Sequence, residues 1–595
     1  MTNVRYLLLI FRDETSRHDK IADILNRTGL AASHSAGPIT AVVSDPRWLL
    51  ALPLGMAIGT LFPRRGPGRA IDHGDAHLLA DVQRDGESAL LDHYWGNYVV
   101  ALQTSGRVYI QPDPTGMMPS YFVDFGSFVA FSSDPALLQD AGLLDVAIDW
   151  EGLSKYLYFA DLPIRQTALD GLSRVLAGSA VIVTPNGLRI EDCWSPWEFV
   201  DRAPSDRPEQ YAERLERTVS TCVTALSSPY SSLLLAVSGG LDSSIIAASL
   251  SARSDKACIT VATDDPSGDE RYYARALCEW LETKLLEDFY SIDDIDLRRS
   301  CVAHKPYPCG RSQSLAYNAA VRRAATATGS KAVLTGNGGD NVFFHSQSAR
   351  PIIDRFQAEG LSVGMLRTLS DICSLTGCSA FAALKQAVAI SRQPTRSYRW
   401  RFDPRFLSGN LVTQLSKDSP THPWLRAPAD AFRGKAAHIA MILRSQNHLE
   451  MMDRSEEICV INPLISQPIV ELCLAIPTWL SCTGGRDRSI ARSAFSKRLP
   501  DLITTRRTKG GPDGFAARIL KQYCADIRER LMDGHLASNN IVDRQEIETA
   551  TRPDIGDQGE SYVPLLFLAD TEAWIDHWRT RQPSTAQDCV GDGGH

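Results

Sequence analysis

The sequence predicts an α/β protein in two parts: a strand-rich part over residues 1–205, then a parallel α/β unit with added helices over residues 206–595. Three observations carry this. The first two hundred or so residues hold short β-branched and aromatic runs bounded by Gly, Pro, Asn and Asp. Beyond the polar stretch Asp201–Gln210, strand-like and helix-like segments alternate, as in a parallel sheet with crossover helices. Two of those strands open directly into glycine-rich loops that carry an Asp.

In order, Tyr94–Gln103, Arg107–Ser133 and Ser179–Trp194 read as strands and turns of the first part. Tyr211–Leu226 has the spacing of an amphipathic helix, and Leu233–Val237 is an apolar strand. A helix is expected after Asp242, with buried residues from Ile245 to Leu250. Ala257–Asp265 is a second strand that includes Val261, and Asp269–Lys284 a second helix. Leu315–Gly329 is helical, and Lys331–Asp340 is a third strand with its loop. Residues 350–440 blur into helices and Pro/Arg-rich loops, read as an insertion. Residues 582–595 are small and polar, read as a loose tail.

The bulk numbers exclude several classes. Hydrophobic residues make up 44% of 595, enough for a real core. Sixty-two basic against 70 acidic residues give a net charge of −8, which offers no general attraction to nucleic acid. The longest apolar run, Trp48–Phe62, is shorter than the ~20 residues a membrane helix needs and is broken by Pro53. The 13 Cys are scattered without a C-x-x-C pair, so no zinc site is expected, and reduced thiols in a cytoplasmic protein are.

The chemistry-bearing stretch is Ser238-Gly239-Gly240-Leu241-Asp242-Ser243-Ser244, between a buried strand ending at Val237 and a buried helix. Glycines let backbone N–H groups wrap an anion, and a helix N-terminus adds a positive dipole end. Asp242 beside a phosphate cradle calls for a cation between them, hence Mg²⁺. The chain has no G-x-x-x-x-G-K-[ST], which excludes the P-loop arrangement. At the next strand end, Gly336-Asn337-Gly338-Gly339-Asp340 places a second acid at the sheet edge where ligands bind. Asn341 stands where a dinucleotide motif needs its last Gly. Asp242 and Asp340 are therefore expected to share one Mg²⁺.

The S-G-G-x-D-S loop resembles that of the ATP pyrophosphatases. Taken with Asp269–Leu277, Val333–Phe344, Ile461–Pro477 and Gly485–Gly511 in this order, the chain resembles the asparagine synthetase family. Gln111–Phe122 and Phe131–Leu138 resemble that family's glutaminase core. The resemblance implies an Ntn-hydrolase-like α+β sandwich at 1–205 and an adenine-nucleotide α-hydrolase-like ATP pyrophosphatase unit at 206–595. It implies that ATP and Mg²⁺ are bound by Val237, Ser238, Gly239, Gly240, Asp242, Ser243, Ser244, Val261, Gly336, Gly338 and Asp340. Lys509 falls on the family's catalytic lysine.

The chain departs from the family at three places. Thr2 stands where the glutaminase needs a Cys, and the first Cys is Cys193, so glutamine is not the expected nitrogen source. Asn337 and Asn341 stand where asparagine synthetases carry Glu. The P-F-L-D element reads Pro463-Leu464-Ile465-Ser466. These departures are similar to those of the intramolecular amide-forming members, most of all the lasso-peptide macrolactam cyclases, with the β-lactam synthetases second; an ammonia-dependent amidating enzyme and an inactive peptide-binding scaffold stay open as rivals. That likeness implies a precursor peptide as substrate, with a leader peptidase and a leader-binding protein as partners, and no nucleic acid or membrane. Glu450, Asp453, Glu456 and Glu457 are the candidates for accepting the amine's proton, against an exposed helical face as the alternative.

Overall fold

The computed structural model describes residues 4–13, 17–30, 32–65, 68–201, 206–418, 422–452, 458–552 and 562–581. Thr2, Asp453, Glu456, Glu457 and the 582–595 tail lie outside them.

The first part contains two six-stranded antiparallel sheets. Strand Tyr6–Phe11 shows how they stack. Tyr6, Leu8 and Ile10 point into a core shared with Ile58, Val99 and Val181 of the other sheet. Leu7, Leu9 and Phe11 point the opposite way, onto Ile24, Leu137 and Leu138. This period of two, apolar on both faces, gives a sheet buried on both sides. The second sheet repeats the arrangement, with Leu61, Tyr98 and Val100 under helices bearing Leu78, Val82 and Leu90. The architecture is helix, sheet, sheet, helix.

From Pro208 onward the sheet is parallel. Its order is Leu285–Phe289, Lys256–Ala262, Leu233–Ala236, Ala332–Leu334, Cys459–Ile461. The outer two strands, Leu285–Phe289 and Cys459–Ile461, are additions to the three read from sequence. Cys459–Ile461 is only three residues long and returns more than a hundred residues after its neighbour, too short for a periodicity signal. Leu233–Ala236 and Ala332–Leu334 are paired in the middle, so the loops after them emerge side by side.

Residues 350–440 do form helices: Arg350–Glu359, Val363–Thr376, Ala380–Ser391 and Gly409–Leu415, with Arg433–Ser445 next in the chain. Ile352, Leu369, Ile372 and Ile390 make their own small core. Among the described residues no single helix is long and apolar enough to cross a membrane, and no disulfide joins the described cysteines.

The two parts are pinned together by buried polar contacts. Arg64 makes a bidentate pair with Glu471 at 2.6 and 2.9 Å, a geometry that fixes orientation as well as contributing energy. Arg174 donates to Asn447 Oδ1 at 2.8 Å, and Gln446 Nε2 donates to the Thr115 carbonyl. The segment 446–448 is thus held by the first part, and it leads straight to the site.

Candidate functional site

A cavity of about 440 Å³ opens at the carboxyl end of the parallel sheet, within the usual ~300–1,000 Å³ range of ligand sites. Val237, Ser238, Gly240, Asp242 and Ser243 line it from the first loop, and Gly336, Asn337, Gly338 and Asp340 from the second. Val261, Lys509 and His448 complete the wall.

Two expected nucleotide contacts need correction. The helix begins at Leu241, so Asp242, Ser243 and Ser244 occupy its first turn rather than the loop. Ser244 is fully buried and donates to the Gly240 carbonyl at 2.8 Å, so its hydroxyl faces the turn and not the cavity. Gly239 does not line the cavity either. It is glycine because φ is +65° and an added Cβ would lie 2.2 Å from the Cβ of Tyr273. It lets the helix Arg271–Trp280 close over the loop.

The two loops meet as expected. A Cβ on Gly339 would fall 2.5 Å from the Asp242 carboxyl carbon, so only glycine lets the second loop lie against Asp242. Between the two acids stands a cation that the sequence pattern does not single out. Arg488 Nη1 donates to Asp242 Oδ2 at 2.8 Å and to Asp340 Oδ1. Lys509 Nζ reaches Asp340 Oδ2 at 3.0 Å, and His345 Nδ1 lies 3.1 Å from Asp340 Oδ1. Arg488 adopts the left-handed region with φ +48°, a conformation costing roughly 1–2 kcal/mol for a side chain of this kind. Strain of that sort persists where the surroundings enforce it.

Burial pushes the Asp242 carboxyl up to about 6, with Arg488 pulling the other way. Burial also works against ionised Asp340, but His345, Arg488 and Lys509 outweigh it and hold its carboxyl well below the ordinary range. The Lys509 ammonium is disfavoured by burial yet held charged by Asp340 and Asp242.

Lys509 is placed by contacts from elsewhere. Glu270 accepts from Arg506 Nη2 at 2.5 Å and from the Gly510 backbone N–H at 3.0 Å. The Arg506 guanidinium stacks 3.7 Å from the Tyr273 ring centroid. Glu270, Tyr273 and Arg506 thereby tie the segment carrying Lys509 to the first loop. Arg488 and Arg506 both fall in the run 485–511, but nothing in its spacing separates them from Arg486, Arg498 or Arg507.

A divalent cation fits these donors. Asp242 Oδ1 is buried with no partner among the described residues, which is costly unless something meets it. Carboxylate oxygens of Asp242 and Asp340 are the hard ligands that Mg²⁺ takes.

A family profile for asparagine synthase matches residues 210–576, more than half of the sequence. The chain belongs to the asparagine synthase family. That family's chemistry is ATP-dependent carbon–nitrogen bond formation. No curated protein matches the chain. Among solved structures it is similar to glutamine phosphoribosylpyrophosphate amidotransferase from B. subtilis, complexed with ADP and GMP. The identity is 11% over 48% of this chain and 65% of that one, with a TM-score of 0.20. It is also similar to a structure described as the allosteric regulatory enzyme of purine biosynthesis, at 11% identity over 49% of this chain and 82% of that one, with a TM-score of 0.21. The chain thus spans slightly less than two thirds of the first of these, and likenesses this weak say nothing of its activity.

Within this asparagine synthase family fold the two Asn substitutions have a physical reason. Asn337 Nδ2 donates to the His448 carbonyl and Asn341 Nδ2 to the Met441 carbonyl, each at 2.6 Å. A carboxylate cannot donate to a carbonyl, so Glu at either place would lose these bonds. Glu450, a candidate proton acceptor, is buried and outside any helix and does not line the cavity, so neither that role nor an exposed helical face describes it.

Proposed function

We propose that this chain is an ATP-dependent ligase that adenylates a side-chain carboxylate of a peptide and closes a macrolactam with the peptide's own N-terminal amine. The observation that carries the adenylation is the cluster Asp242–Arg488–Asp340–Lys509 beside the glycine-rich loop. It sets fixed cations where negative charge develops, first on the α-phosphoryl oxygens and then on the tetrahedral oxyanion. Such electrostatic help is typically worth several kcal/mol. Mg²⁺ held by Asp242 and Asp340 would neutralise charge on the leaving pyrophosphate. Ser238, Ser243 and backbone N–H groups at the helix start offer donors to that pyrophosphate. Lys509, half-exposed at the cavity mouth, faces the reacting carboxylate.

An internal amine suits the altered residues at 337 and 341. A tethered, well-oriented nucleophile contributes roughly 7–11 kcal/mol in favourable cases, which reduces dependence on the family's Glu. The first part is read as an inactive glutaminase-like, Ntn-hydrolase-like unit. Its first cysteine, Cys193, is pushed up to about 12 by burial and donates to the Gly178 carbonyl, so it supplies no thiolate near neutral pH. A precursor peptide, a leader peptidase and a leader-binding protein are the partners this reading calls for.

The test is incubation with ATP, Mg²⁺ and linear peptides that have a free N-terminus and one internal Asp or Glu stepped along the chain. A product lighter by one water, with AMP and pyrophosphate formed and fragmentation showing an N-terminus-to-side-chain ring, supports the reading. An open-chain amide requiring ammonia, or turnover only with small amino acids, overturns it. Asp242→Asn and Asp340→Asn are each expected to abolish pyrophosphate release in a folded protein.

A further inference from the structure

A second cavity, of about 540 Å³, lies beside the first, and His448 lines both. Its other walls mix apolar side chains such as Phe402 and Phe567 with Arg311, Arg401, Arg405 and Arg444 and with the carboxylates of Asp161 and Asp403. His448 Nε2 is 2.9 Å from Asp161 Oδ1. Asp161 belongs to the first part of the chain, 287 residues away in sequence, so the pair exists only because the two parts dock.

The pair is built with some strain. Ala160 and Asp161 both have positive φ, at +34° and +63°, a backbone region that side chains adopt only where the surroundings enforce it. The segment is held in that shape by Trp400, whose indole N–H is shared between the Phe159 and Ala160 carbonyls at 2.7 and 3.2 Å. Burial works against the Asp161 carboxylate, yet His448, Arg311 and Arg444 hold its carboxyl down to about 2. It is therefore a permanent acceptor. Accepting from Nε2–H, it selects the neutral tautomer whose lone pair lies on Nδ1, an atom with no partner among the described residues. The His448 carbonyl meanwhile accepts from Asn337, which keeps the imidazole at the wall between the cavities.

We infer that the amine of the substrate reaches the acyl-adenylate through the second cavity, and that His448 is the catalytic residue that deprotonates it, with Asp161 as its positioning residue. This rests on the ligase reading. In the step, Nδ1 takes one proton from the ammonium group. The freed nitrogen lone pair forms the C–N bond, and the C–O bond to AMP breaks. The second proton leaves the tetrahedral adduct with the departing phosphate. A base in this place restores what Asn337 lacks.

Hydroxylamine separates this step from adenylation, because it is unprotonated near neutral pH and needs no base. The experiment measures, on the full chain with ATP and Mg²⁺, amide and hydroxamate formed from the same acid. The probes are the peptides with a stepped Asp or Glu and, separately, L-aspartate with ammonium. In His448→Gln the ratio of amide to hydroxamate is expected to fall by roughly 10²–10⁴, the usual range for general-base catalysis. In Asp161→Asn it falls as well, by less. A merely structural defect lowers both products together and leaves the ratio unchanged, and that result overturns the inference. If pyrophosphate is released only with aspartate and ammonium, the peptide reading fails while the ratio with ammonium still decides His448. No pyrophosphate with any probe overturns both.

Discussion

Replacing Arg488 by Met removes the guanidinium that Asp242 and Asp340 share. Arg488 and Asp242 have side chains 7% and 8% exposed, so the pair counts as buried. Removing one partner of a buried pair costs about 3–5 kcal/mol, because the other charge is left uncompensated. Asp340 is a third exposed and keeps Lys509 and His345, so its share is small and the expected loss is about 3 kcal/mol. The loss has a pH signature. Burial pushes the Asp242 carboxyl up to about 6 against the pull of Arg488, so it rises further once that cation is gone. A folded carboxyl raised above its unfolded value contributes stability at low pH and loses it as pH rises. The deficit is therefore largest above neutral pH and shrinks as the solution is acidified towards pH ~5. It also has a metal signature. Mg²⁺ can replace the lost cation, and at a hundred times its dissociation constant a bound ion returns ~2.7 kcal/mol. Denaturant titration of wild type and variant, in chelator and in Mg²⁺ at both pH values, measures all of this. A variant within about 0.5 kcal/mol of wild type, or one with equal deficits under all four conditions, refutes the reasoning.

Lys509→Gln is expected to lower amide formation by roughly 10²–10³, with stability nearly unchanged because its side chain is 53% exposed; steady-state kinetics beside a melting curve checks both. Gly239→Ala forces a Cβ to 2.2 Å from Tyr273 at a φ of +65°, so a loss of about 3 kcal/mol and a raised KM for ATP are expected, and a variant of wild-type stability and KM contradicts the packing described. Asp570 is buried and accepts from Ser300 at 2.8 Å, and burial pushes its carboxyl up from 3.8 to about 7. Its contribution to stability is present below the unfolded value and is lost as pH rises through about 7. Asp570→Asn should therefore be the more stable protein above that pH, by on the order of 2–4 kcal/mol, and its advantage should vanish in acid; parallel unfolding curves at high and low pH would show otherwise.

What the sequence by itself determined is local. An apolar strand running into Ser-Gly-Gly-Leu-Asp-Ser-Ser specifies a strand, a tight turn and a helix start, because only that conformation buries Leu233–Leu235 while freeing the loop's N–H groups. The same logic at Val333–Asp340 yields the second loop. Alternating strands and helices then imply a parallel sheet, and a parallel sheet delivers both loops to one edge. So the meeting of Asp242 and Asp340 was legible before any coordinates. The tertiary structure decided everything that depends on contacts between distant segments. Arg488, and not one of the neighbouring arginines, reaches the two acids because the chain turns left-handed there. Ser244 faces the turn because the helix starts earlier than its apolar residues suggest. Strand Cys459–Ile461 exists only because a paired neighbour awaits it. Asp161 meets His448 because Arg64–Glu471, Arg174–Asn447 and Trp400 lock one part of the chain against the other. Such contacts arise from packing between segments hundreds of residues apart, and no periodicity or motif in either segment encodes them.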